Sequence, residues 1–239
     1  MPVPTTASSW AANRLLAALP AEDLAYLRPN LEPVVLTFKG EYAVPGKPID
    51  YVYFPFRGVM SLLIQTSRGE SIEVALVGNE GIVGVHAYLG AHLSPFHVIC
   101  QVPGDGVRMK IKTFQKAMER GGALAAALGY FLEGLLIQIA VSGACNRLHT
   151  VEQRCARWML MTHDRVQGEE FPLTQEFLAS MLGIRRAGVN AVASTLKRNG
   201  VIRYSRGRVA ILNRTGLEAM SCECHGTLQQ ARDRATARQ

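Results

Sequence analysis

Cysteine is scarce and unevenly placed. The 239-residue chain has five, Cys100, Cys145, Cys155, Cys222 and Cys224, and none in its first 99 positions. So sparse and odd a set excludes a disulfide framework and fits a reducing, cytoplasmic setting. The opening MPVPTTASSW lacks a basic stretch followed by an apolar core, so no signal peptide is expected. Aromatic residues make up only 7%, but 48% of the chain is hydrophobic. That excludes global disorder and supplies core for one large domain or two of ordinary size. The most telling absence is local. Between Arg185 and Arg214 there are eight basic residues and no acidic one. A solvated face normally mixes signs, so this run implies a polyanionic partner. The asymmetry is regional: residues 1–150 hold 12 Lys/Arg against 11 Asp/Glu, residues 151–239 hold 14 against 8.

The chain has one long hydrophobic run, ALAAALGYFLEGLLIQIAVSGAC at 123–145. Its length would suit a membrane span. Glu133 and Gln138 interrupt it near the middle, and no basic cluster marks one end. Leu128, Leu132, Leu135, Ile139 and Ser142 recur at spacings of four and three, the period of a coiled-coil seam. The run therefore reads as a buried dimer helix with those five residues on the subunit seam, and no membrane association is expected.

Residues 1–12 read as a flexible arm, and NRLLAALPAEDLAYL as short helical pieces split at Pro20. From Pro33 the pattern changes to short β runs: VVLTF, DYVYFPF, GVMSLLIQT, SIEVALV, HVICQV and VRMKI. Glycines punctuate their corners, which indicates a rolled or barrel-like sheet.

The segment LTQEFLASMLGIRRAGVNAVASTLKRNG, 173–200, carries the clearest motif. Thr174 is a helix N-cap, Phe177, Leu178, Met181 and Leu182 form an apolar stripe, and Gly183 ends the helix. Val189, Val192, Ala193 and Leu196 form the inner stripe of a second helix. Two such helices joined by a glycine turn make a helix-turn-helix unit. The second helix starts at Arg185 and turns Arg186, Asn190, Ser194 and Lys197 outward. Arginines at a helix N-terminus oppose the macrodipole, and a glycine in the first turn costs about 1 kcal/mol relative to alanine. Both make sense if that end lies in a major groove, where arginine bonds guanine O6 and N7 and phosphate offsets the dipole. Arg185, Arg186 and Asn190 are then the base readers, flanked by Ser194 and Lys197 for phosphate. In VIRYSRGRVAIL, two strands around Arg206–Gly207 form a basic wing whose Arg203, Arg206 and Arg208 suit phosphate contacts.

With LTQEFLASMLGIRRAGVNAVASTLKRNGVIRYSRGRVAIL, DYVYFPFRGVMSLLI and GNEGIVG in this order, the chain resembles the Crp/Fnr superfamily of bacterial transcription regulators. The resemblance implies an α+β fold: an N-terminal β-roll (a jelly roll of the cyclic-nucleotide-binding type), a long dimerisation helix, then a C-terminal winged helix-turn-helix. Its expected domains are a sensor roll at 13–122, the dimerisation helix at 123–148 and the DNA-binding domain at 149–225. A polar tail at 226–239 has no assigned function. It also implies a homodimer on a pseudo-palindromic double-stranded DNA operator and contact with RNA polymerase. By matched position, Thr174 and Gln175 meet phosphate and Arg186 reads a guanine. The cyclic-AMP-responsive members have an acidic residue and an arginine where this chain has Ala187 and Ala191, so their operator does not carry over.

Members that bind cyclic nucleotides hold ribose and phosphate with a Gly-Glu pair and a later Arg-Ser. Here Val85 stands in place of the glutamate, and Ser94-Pro95-Phe96 covers the other position. A buried cyclic phosphate needs a guanidinium or comparable donors, and this loop supplies none. No cofactor is predicted and the sensor ligand is left unassigned; a regulator of the same fold responding to cyclic nucleotide, haem or another small molecule is the alternative. His86, His92 and His97 are candidate sensor-loop residues, but their spacing matches no metal motif. An iron–sulfur sensor would need a cysteine-rich N-terminal arm, which is missing. Cys222-Glu223-Cys224-His225 offers half of a zinc knuckle; unless the dimer or Cys155 completes it, packing of the chain end is expected. Glu73, Glu80, Asp105 and the histidines form no catalytic constellation, so an enzyme is not expected.

Overall fold

The computed structural model describes residues 10–166 and 168–238, so most of the arm expected at 1–12 lies outside the described residues. Trp10, within that arm, is anchored. It is buried edge-on against Phe56 at 6.1 Å, with the Arg28 guanidinium 5.7 Å from its ring. Helices α1 (Arg14–Ala17) and α2 (Ala21–Leu27) follow. Asn13 caps α1 by accepting from the Leu16 N–H at 3.1 Å, and its amide donates to the carbonyls of Pro55 and Gly81, both at 2.9 Å. One buried side chain thus starts a helix and pins it to the sheet.

Strands β1 (Glu32–Leu36), β2 (Glu41–Ala43), β3 (Tyr51–Gln65), β4 (Ser71–Val77) and β5 (His97–Lys110) form one antiparallel sheet in the order β1-β5-β3-β4, with β2 also on β5. DYVYFPF and GVMSLLIQT, expected as two strands, are the single strand β3; HVICQV and VRMKI are likewise merged in β5. Glycine explains the difference. Gly58 has φ +94°, and a β-carbon on Gly104 would fall 2.1 Å from the Arg57 carbonyl oxygen. The β3–β5 register shifts between Pro55 and Arg57 and again between Arg57 and Val59. These glycines mark bulges that bend long strands, where the sequence suggested corners that end short ones. Phe54, Met60, Leu62, Val98, Val107 and Met109 fill the roll, and Phe114 of α3 (Ile111–Glu119) joins them.

Helix α4 (Ala123–Leu148) has 26 residues, about 39 Å. It is long and apolar enough to cross a membrane by length and composition, yet its inner face is taken by the chain itself. Leu124, Ala127, Leu128, Phe131 and Leu135 join the roll's core. The Gln138 side chain accepts from the Leu76 N–H at 2.9 Å and donates to the Leu76 carbonyl at 3.1 Å, capping the outer edge of β4. This corrects the expected seam, because Leu128, Leu135 and Ser142 are buried inside the protomer, and Leu132 and Ile139 are half-buried against the core. A helix apolar all round carries the three-and-four spacing on more than one face, so periodicity alone does not say which stripe faces out. The exposed stripe is Ala126, Gly129, Glu133, Leu136, Ala140, Gly143 and Arg147.

Helix α5 (Val151–His163) begins with a capping box between Thr150 and Gln153. Beyond it lie β6 (Glu170–Pro172), α6 (Gln175–Leu182), α7 (Arg186–Arg198), β7 (Ile202–Ser205), β8 (Arg208–Ile211), α8 (Arg214–Ala219) and α9 (Cys224–Arg238). The second sheet runs β6-β8-β7. The expected polar tail is most of helix α9, with Leu228 and Ala231 buried. Its apolar stripe is narrow and made largely of alanine, too weak to stand out in the sequence. Close approach replaces bulk here: a methyl on Gly134 of α4 would come within 3.6 Å of the Ala235 β-carbon. Asp164 ties the end of the chain down, bonding Arg214 at 2.7 Å, Arg232 at 3.2 Å and His225 at 3.3 Å. Burial pushes its carboxyl up, but His225, Arg214 and Arg232 more than offset this and hold it far below the usual range.

The two halves meet at β4. Trp158 Nε1 donates to buried Glu73 at 2.8 Å, the hydroxyls of Ser71 and Ser180 lie 2.7 Å apart, and Arg165 bonds Glu80 at 2.7 Å. Burial outweighs the opposing pull of Ser61, Trp158, Arg157 and Arg165 and pushes the Glu73 carboxyl from 4.5 up to about 8.

Two predictions follow from these contacts. Gln138→Leu strands the N–H and carbonyl of Leu76 and should cost about 2–4 kcal/mol in equilibrium urea unfolding; a change below about 0.5 kcal/mol would mean the edge is capped some other way. Glu73 retains a proton in the folded chain that the unfolded chain loses, so its contribution to stability fades as pH rises from 4.5 to about 8. Glu73→Gln keeps the acceptor for Trp158 and removes the ionisation. Its melting temperature should gain on the wild type's more at about pH 9 than at about pH 5; a pH-independent difference would refute the assignment.

Candidate nucleic-acid interface

Each turn of the helix-turn-helix has a local cause. Thr174, extended at φ −91° and ψ 154°, accepts from the Phe177 N–H at 3.1 Å and starts α6. Gly183 ends it in the left-handed region, φ 62° and ψ 40°, and a β-carbon there would press on Ile72 of β4 at 3.0 Å. Arg185 is the N-cap of α7 and makes no side-chain capping bond. Val189, Val192, Ala193 and Leu196 are buried, as the inner stripe required. Arg185, Arg186, Asn190, Ser194 and Lys197 are all exposed on the opposite face. A methyl on Gly188 would make only ordinary contact, 3.6 Å from Ile184, so the fold itself does not demand glycine there.

The wing is a tight hairpin. Arg206 and Gly207 both have positive φ, 49° and 71°, as a two-residue type I′ turn requires. Arg206 stands exposed at the tip. The other two wing arginines are already engaged. Arg203 bonds Glu170 at 2.8 Å and Arg208 bonds the same carboxylate at 3.2 Å, which holds Glu170 below its ordinary range. Three equivalent phosphate donors were expected; the structure gives one open tip and two arginines sharing a carboxylate. Glu170 was missed because it reaches the wing through β6, a strand of three residues too short to register as a periodic pattern.

Thr174, Gln175, Glu176, Arg186, Tyr204 and Arg206 line an open cleft of about 320 Å³ between the starts of α6 and α7 and the wing. Four of the expected DNA contacts, Thr174, Gln175, Arg186 and Arg206, thus converge on one space. Tyr204 was not anticipated. Burial, then Cys155, raises its phenol to about 12 against the pull of Arg186, so at neutral pH its hydroxyl keeps its proton and can serve as a donor. Hydroxyl, amide and guanidinium donors converging beside the first turn of a helix suit a phosphodiester.

The sensor-loop histidines do not converge. His86 packs against Phe96 at 5.8 Å, and burial lowers its pKa. His97 is held by Glu41 at 2.6 Å and Gln65 at 3.1 Å, and His92 is exposed. Nearby, α4 closes on the roll so tightly that a β-carbon on Gly81 would fall 1.9 Å from the Phe131 ring.

Comparison with known proteins agrees with this architecture. Residues 153–220 match the Crp-like helix-turn-helix domain. A global nitrogen regulator from Synechocystis sp. is 21% identical over 199 residues, spanning 78% of this chain and 88% of its own. The structure of FixK2 from Bradyrhizobium japonicum superimposes with a TM-score of 0.68 at 16% identity, over 80% of this chain and 98% of its own. A CRP-family transcriptional regulator from Thermus thermophilus gives 0.64 at 18% identity, over 79% and 96%. The structural likenesses establish the fold; the domain match and the regulator relatives separate the chain from enzymes. On these grounds, residues 153–220 form a Crp-like helix-turn-helix domain, and the chain as a whole has the fold of solved Crp/Fnr-type regulators.

Proposed function

We propose that the chain acts in the cytoplasm as a homodimer on a pseudo-palindromic DNA operator, with α7 in the major groove and RNA polymerase as its downstream partner. The observation that carries this reading is the outer face of α7. Arg185 and Arg186 sit exposed at its start, in line with Asn190, Ser194 and Lys197, and beside the cleft lined by Thr174 and Arg206. Arg185, Arg186 and Asn190 take base edges, while Thr174, Gln175, Ser194, Lys197 and Arg206 take phosphate. Arg203 and Arg208 serve phosphate only after parting from Glu170. The exposed stripe of α4, from Ala126 to Arg147, supports a subunit seam: its glycines at 129 and 143 leave open space for a partner helix to approach closely. A signal other than a cyclic nucleotide suits the roll, because buried Val85 replaces the glutamate and the loop offers no guanidinium.

Selection of bound sequences from a random DNA pool should return an inverted repeat with half-sites about one helical turn apart. On that operator, Arg186→Ala should cost about 1–3 kcal/mol of discrimination against random DNA, measured by competition binding. Unchanged discrimination would remove α7 as the reading helix. Arg206→Ala should weaken all sequences alike and reduce the salt slope by about one. Arg208→Ala should change the slope less, since Glu170 already holds that charge; equal slopes for the two variants would show that Glu170 releases Arg208 on DNA.

A further inference from the structure

Three of the five cysteines gather at one place. Cys145 lies in the last turns of α4, His149 caps that helix, Cys222 lies between α8 and α9, and Cys224 begins α9. The three sulfurs and a ring nitrogen of His149 all lie within 4.8 Å of one another. Cys145 Sγ is 3.5 Å from Cys222 Sγ, and Cys224 Sγ is 3.7 Å from His149 Nδ1. Tetrahedral zinc with bonds of about 2.3 Å to sulfur and about 2.0 Å to nitrogen places its ligands about 3.5–3.8 Å apart. The two measured edges have that size.

Two features beyond the cluster itself point to an ion. His149 Nε2 faces the Glu223 carboxylate at 3.2 Å, leaving Nδ1 aimed at the sulfurs. A carboxylate on the far nitrogen is how metal-ligating histidines have their tautomer and ring orientation fixed. Arg154 is buried beside Cys145, and its Nε has no hydrogen-bond partner. Three thiolates around a divalent cation carry a net charge of −1, which such a guanidinium would balance. Simple packing of thiols calls for neither feature.

We infer that Cys145, His149, Cys222 and Cys224 form a closed Cys3His site for a thiophilic divalent cation of the zinc class. Four protein ligands leave no open position, so the site is structural, and thiolate with imidazole selects a soft or borderline ion over magnesium or calcium. The ion would join the end of α4 to the start of α9, with its ligand His149 two residues before α5 begins. Its loading would therefore set how firmly the DNA-reading half is fixed to the long helix. Each cysteine gives up a proton on binding, so uptake of the ion releases protons.

The test uses the full chain, grown with zinc and purified under reducing conditions. Elemental analysis should find one zinc per chain. Replacing it with Co(II) should give the visible bands of a tetrahedral centre together with thiolate-to-cobalt charge transfer. Cys145→Ser and Cys224→Ser should lose both signals, and Cys155→Ala should keep them. Should the serine variants fail to fold, Glu223→Gln serves instead, since it leaves the ligands intact and should weaken zinc affinity about 10–100-fold. Metal-free wild-type protein that gives only an octahedral cobalt spectrum would overturn the inference. So would a Cys145–Cys222 disulfide in the zinc-grown, reduced chain.

Discussion

Helix α5 is buried on every side, and the relation between the two halves depends on how that burial is made tolerable. Its residues from Arg154 to Thr162 are all buried, two of them arginines. An unpaired buried guanidinium costs several kcal/mol, so each of these arginines needs at least one acceptor. Arg154 donates to the Leu182 carbonyl at the end of α6, and Arg157 to the Met161 sulfur. Trp158 reaches Glu73 and Thr162 meets Gln101, both in the roll. The partners lie on different elements, so satisfying them fixes the position of α5 against the roll and against α6 together. The second helix of the helix-turn-helix, α7, inherits its placement from this arrangement.

The arginines fall into two physical classes. Those in the interior, Arg154, Arg157 and Arg165, are anchored by the protein's own acceptors. The Arg185 and Arg186 side chains are exposed and make no hydrogen bond or ion pair among the described residues. The second class sits at the positive end of a helix, where cations are least welcome, and the fold gives nothing back for it. Glu170 occupies a middle ground. It relieves the repulsion between the two wing arginines, Arg203 and Arg208, by bonding both. The positive charge of the wing is thereby balanced at its base and left open at Arg206.

What could be read in advance followed the range of the interactions. Thr174, Gly183 and the buried stripe Val189–Val192–Ala193–Leu196 depend on neighbours within a few residues, so the helix-turn-helix was legible almost to its boundaries. The wing turn at Arg206–Gly207 was legible for the same reason. Errors arose where a local pattern had two meanings. Gly58 and Gly104 punctuate like turns but act as bulges, because the close approach that demands them comes from a paired strand. Leu128 and Leu135 have seam spacing but face the roll, because α4 is apolar on both sides. Helix α9 was hidden by its alanines, and the company of Cys222 and Cys224 by distance: Cys145 lies 77 residues from Cys222. No window of sequence spans such a contact.

Strand β4 brings these threads together. It is an edge strand, and its outward groups are covered by helices in place of a further strand. Ser71 meets Ser180 of α6, Ile72 lies against Gly183, Glu73 holds Trp158 of α5, and Leu76 is paired by Gln138 of α4. Four positions in one short strand thus touch α4, α5 and α6 together. Because packed interiors shift between discrete arrangements and do not deform smoothly, displacement of β4 would bias all three contacts at once. A molecule that favoured one seating of β4 over another could transmit no more than its differential affinity for the two seatings.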